Sequence, residues 1–216
     1  MKKLFLLILV FLTTCFSNMS YSHQVVGEVA PLLSRMEIIL RMIEAGKKDS
    51  AFRETEEVVE DFHNRELALH EEGLKTTMGR MDKKFGTDLQ TSLDESIANK
   101  QVDSLQKTLQ TLGFLLMLEK FDALQEMNKG SNLEAQKAIF WLGRNYFSLI
   151  IEPTLAKYDP ALELRMDRLL DRALYRLEDG RWDEFRAAMS EFLNEMTEYF
   201  GLSLPPSVLN KSKISN

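Results

Sequence analysis

Val102-Asp103-Ser104-Leu105-Gln106-Lys107-Thr108-Leu109-Gln110-Thr111-Leu112-Gly113-Phe114-Leu115-Leu116 places apolar residues at 102, 105, 109, 112 and 116. Steps of three and four return side chains to one face of an α-helix, which turns about 100° per residue. The spacing predicts a helix over 102–127, closed by the turn Asn128-Lys129-Gly130-Ser131-Asn132. The next step of the alternation is Glu119, an acid where an apolar residue is expected.

The same period recurs on both sides of this stretch. It predicts helices over 24–45, ended by Gly46, and over 49–80, capped by Asp49 and ending between Gly79 and Gly86. A shorter one over 88–99 carries Leu89, Leu93 and Ile97. Downstream, a nearly all-apolar helix over 132–152 should stop at Pro153, because proline lacks the N–H that the ladder needs. Asp159-Pro160 opens another helix, Asp179-Gly180 turns the chain, and a last helix runs over 181–200. No period-2 strand pattern stands out. The reading is all-α, an antiparallel bundle of six to seven helices over 23–201 with a tail at 202–216. Residues 49–127 echo 131–200 in pattern, which suggests two related three-helix units.

Lys2 and Lys3 followed by the apolar run 4–12 read as a secretory signal, with cleavage before His23. The rival is a lipoprotein signal anchored at Cys15, the chain's one cysteine. Either expectation places the protein in the periplasm or outside the cell. Removing Lys2 and Lys3 makes a formal charge of −6 two units more negative. An acidic chain argues against nucleic acid as partner, since phosphate binding needs a cationic footprint.

The chemistry concentrates in Phe62-His63-Asn64-Arg65-Glu66-Leu67-Ala68-Leu69-His70. On a continuous helix, His63, Glu66 and His70 share the side that carries Phe52, Thr55, Val59 and Phe62, so they should face the core. Charged groups are rarely buried unless paired or coordinating. Imidazole and carboxylate suit iron, copper or zinc, and Glu119 could add a ligand from a second helix. The competing reading leaves both histidines half exposed and pairs Glu66 with a base such as Arg41. Histidine at 23 would give a separate amine–imidazole chelate if it became the N-terminus. The chain has no nucleophile elbow, phosphate loop or His-Glu-x-x-His, so a non-catalytic role is expected.

Phe62, His63, Glu66, Glu71-Glu72-Gly73-Leu74, the helix over 88–99 and Val102-Asp103-Ser104-Leu105 form a series. It loosely resembles the helical extracytoplasmic domain that precedes the membrane part of some bacterial high-affinity iron permeases. The resemblance covers 49–112 and implies a periplasmic partner of a membrane transporter that handles iron or another transition metal. It puts His63, Glu66 and His70 at the matching positions. The alternative function is a helical adaptor that binds an envelope protein through an apolar groove, involving the helices over 132–152 and 181–200.

Overall fold

A computed structural model of the chain describes residues 30–64, 69–127 and 132–203. The expectations for the signal at 1–22, Cys15, His23 and Glu66 lie outside the described residues, as does the tail from 204 onward. Among the described residues the architecture is all-α apart from one small hairpin. In chain order it runs α1 (Ala30–Glu44), α2 (Lys48–Glu57), β1 (Phe62–Asn64), β2 (Leu69–Glu71), α3 (Leu74–Phe85), α4 (Leu89–Ala98) and α5 (Val102–Glu126). There follow α6 (Leu133–Tyr146), a π-helical turn (Phe147–Ile151), α7 (Glu152–Tyr158), α8 (Pro160–Glu178) and α9 (Trp182–Phe200).

Helix α5 is the axis. Every residue from Thr108 to Leu118 is buried, and the helix packs against α1, α3, α4, α6, the π turn and α9. Two glycines set its crossings. A Cβ at Gly113 would sit 2.5 Å from Ile150 Cγ2, and a Cβ at Gly143 would sit 2.5 Å from Phe121 Cε1. The missing side chains let α5 and the α6–π segment approach closely. Phe121 then packs against Phe140 and Phe192, with ring centroids 5.6 and 6.3 Å away. Edge-to-face and tilted pairs of this kind suit the quadrupoles of the rings.

Three helix–helix turns repeat one hydrogen-bond pattern. Ala45, Asn99 and Asp179 donate to Arg41, Glu95 and Tyr175, while the residue two further on reaches back five positions in each case. The middle residue is left-handed: Gly46 at φ 71°, Gly180 at φ 69°, and Lys100 at φ 50°. Glycine enters that region without a Cβ penalty, whereas Lys100 does not.

Three helix expectations need correction. The second helix starts at Lys48, so Asp49 lies in its first turn and does not cap it. The chain does not end its helix at Pro153; it continues through α7 to Tyr158. The π turn just before Pro153 widens the ladder, so the missing N–H falls in the first turn after the bulge, where proline is tolerated. The helix over 49–80 is broken into α2, a β-hairpin and α3. At the break, Leu74 N donates to Val58 O at 2.8 Å and Lys75 N to Val59 O at 3.0 Å. Those bonds satisfy the first N–H groups of α3, which have no partner inside their own helix. A short apolar run fits a helix face or a strand equally well, and here the tertiary bonds at its ends decide.

Candidate functional site

The hairpin stands on a closed base. Asp61 Oδ1 accepts a hydrogen bond from Gly73 N at 2.8 Å, which ties the two ends of the excursion together. Only glycine fits at 73, because a Cβ there would lie 2.3 Å from the carbonyl carbon and oxygen of Glu60. The Gly73 amide, the Thr76 hydroxyl and His70 together hold the Asp61 carboxyl below the usual carboxylate range, against a smaller effect of burial.

Above that base the strands pair antiparallel, Phe62 with Glu71, His63 with His70 and Asn64 with Leu69. Side chains alternate between the faces of a strand. The inner face carries Phe62, which packs on the core, and Glu71, whose Oε1 is buried with no hydrogen-bond partner among the described residues. The outer face carries the two histidines. Both are exposed, the His70 side chain to 71%. The expectation that they face the core is therefore corrected, because it depended on an unbroken helix. They are nevertheless direct cross-strand neighbours, whose Cβ atoms stand about 4.5–5.5 Å apart in such a pair. Asp61 Oδ2 lies 3.7 Å from His70 Nε2. With its proton on that nitrogen, the neutral ring leaves the Nδ1 lone pair free to coordinate.

Glu119 is held elsewhere. Arg80 Nη1 donates to both of its oxygens, at 2.7 and 2.8 Å, and Lys84 Nζ lies 3.7 Å away. Lys84 also reaches Asp122 and Arg80 reaches Glu72, so the acid belongs to an ion-pair network between α3 and α5. Buried Tyr146 faces this network, and burial together with the Glu119 charge pushes its phenol pKa up. Among the described residues, no three His, Cys, Asp or Glu side chains gather at metal-ligand spacing. The structure thus juxtaposes His63 and His70, and keeps Glu119 with the guanidinium of Arg80. On a helical wheel Asp61 falls on the solvated arc, so the sequence pattern does not point to it. Asp61 stands two residues before His63, which signals nothing until the hairpin is known.

For the adaptor alternative, α9 offers little free apolar surface: Trp182, Phe185, Phe192 and Phe200 are all in the core. Trp141 on α6 and Tyr175 on α8 remain 45% and 58% exposed. Lys137–Glu178 and Arg144–Asp171 ion pairs bridge the same two helices on either side of them. No helix among the described residues is long and apolar enough to cross a membrane. Comparison with protein-family models, with curated proteins and with solved structures returns no match.

Proposed function

We propose that this chain binds a divalent transition metal through the imidazoles of His63 and His70, and that it holds or hands on the ion without catalysing a reaction. The observation that carries the reading is the cross-strand register of the two histidines on the exposed face of the hairpin. Neutral imidazole is a borderline donor that suits zinc, copper(II) and iron(II), and the general affinity order favours copper(II) among them. Asp61 supplies the outer carboxylate that orients a ligating histidine. A leader at 1–22 would deliver the protein to the cell envelope, where a metal transporter is the partner that the iron-permease resemblance implies. Calorimetric titration of copper(II), zinc(II) and iron(II) into the wild-type chain and the His63→Ala/His70→Ala variant tests the reading. Affinity should fall by roughly tenfold or more in the variant. Equal affinity in the two proteins would contradict it.

The second reading, an adaptor for an envelope protein, draws on the exposure of Trp141 on α6 and of Tyr175 on α8. Trp141→Ser with Tyr175→Ser should then abolish capture of an envelope protein that the wild type retains. The same variant should leave metal affinity unchanged.

A further inference from the structure

The ribbon supplies two imidazoles, while a structural zinc ion takes four donors in a tetrahedron at about 2.0–2.1 Å from each nitrogen. Three observations bear on where the other two come from. His63 and His70 point to the same outer face, which is open to solvent. Among the described residues no helix packs extensively on either strand, and Phe62 anchors the ribbon from the opposite face. Its base is fixed by the Asp61–Gly73 hydrogen bond and by the amides of Leu74 and Lys75, so the pair is presented on a closed mount.

Resting on the metal-binding reading above, we infer that zinc(II) joins two copies of this chain, with His63 and His70 of each copy completing one four-imidazole site on a two-fold axis. A two-fold interface uses the same patch on both subunits, so one outward histidine pair per chain suffices. The formal charge of −6 per chain opposes association of two copies without an ion between them. The dimer therefore forms with the ion and dissociates without it. The expected stoichiometry is one zinc per two chains. Excess zinc should separate the copies again, because each pair then takes its own ion and fills it with water.

Sedimentation velocity on the chelator-stripped full chain, titrated with zinc chloride, tests the inference. The mass should double near half an equivalent of zinc, return to that of a single chain in excess zinc, and fall likewise on adding a chelator. His63→Ala and His70→Ala should each stay monomeric at half an equivalent, whereas His23→Ala should dimerise like the wild type. Zinc bound one to one with no change in mass overturns the shared site and leaves the metal-binding reading standing. Zinc that does not bind overturns the shared site, and the metal-binding reading falls with it only if copper(II) and iron(II) fail to bind as well. Dimerisation that survives in the His63 and His70 variants overturns the assignment of the ligands.

Discussion

His63 and His70 stand opposite each other in an antiparallel ribbon, although six residues separate them along the chain. The chain leaves α2 and enters α3 at points joined by hydrogen bonds, from Leu74 N to Val58 O and from Lys75 N to Val59 O. The pair is thereby placed on the outside of the molecule, held at its root by Asp61 and Gly73.

The Asp61 carboxyl is expected to govern the pH dependence of that root. Its pKa is lowered in the folded chain, chiefly by the Gly73 amide. The stabilisation it gives is therefore present above the unfolded carboxylate pKa of about 3.9 and is lost as pH falls through the lower folded value. The Gly73 amide resonance in NMR should titrate with a midpoint below that of a free aspartate, and Asp61→Asn should abolish the titration. A midpoint at or above the free value would show that the bond does not form.

Gly73→Ala should open the hairpin base. The added methyl would overlap the Glu60 carbonyl, which is backbone and cannot turn aside. A loss of about 2 kcal/mol or more in urea unfolding is expected, in the range of substitutions that force backbone shifts. Alanine tolerated at no cost would mean that the two strand ends are further apart than described.

At the centre, Gly113→Ala drives a Cβ into Ile150. Overpacking of this kind costs about 1–3 kcal/mol. Because the nearest obstacle is the Cγ2 of a side chain, Ile150→Ala, which removes that atom, should recover part of the loss when combined with Gly113→Ala. A double variant no more stable than additivity predicts would show that the two residues are not in contact.

Lys100→Gly should raise stability by several tenths of a kcal/mol to about 1 kcal/mol, the balance of relieved left-handed strain against glycine's greater freedom when unfolded. Thermal unfolding reads the change. A lowered transition temperature would contradict the equivalence of this turn with those at Gly46 and Gly180.

Much of the helical framework was legible because its signals are local and repeated. The 3-4 spacing of Leu105, Leu109, Leu112 and Leu116 marked α5, and Asp159-Pro160 marked the start of α8, where Asp159 Oδ1 does accept from Leu162 N at 3.0 Å. The hairpin was not legible. Val58, Val59 and Phe62 satisfy a helical wheel, and the groups that break the helix, the amides of Leu74 and Lys75, act from the far side of the excursion. The seven-residue spacing of the histidines suits two helical turns and also a ribbon with a short connection, so their proximity could be read while their exposure could not. Glu119 occupies the apolar stripe of α5 because Arg80 reaches it from α3, a pairing 39 residues apart that no spacing rule contains.

The metal-binding claim is tested most directly by nitrogen NMR of the chain labelled at its imidazoles, titrated with zinc. The rings of His63 and His70 should shift together and saturate at the same zinc concentration, with His70 coordinating through Nδ1 and His23 unmoved. Zinc that leaves both rings unchanged, or that shifts His23 alone, would contradict the account.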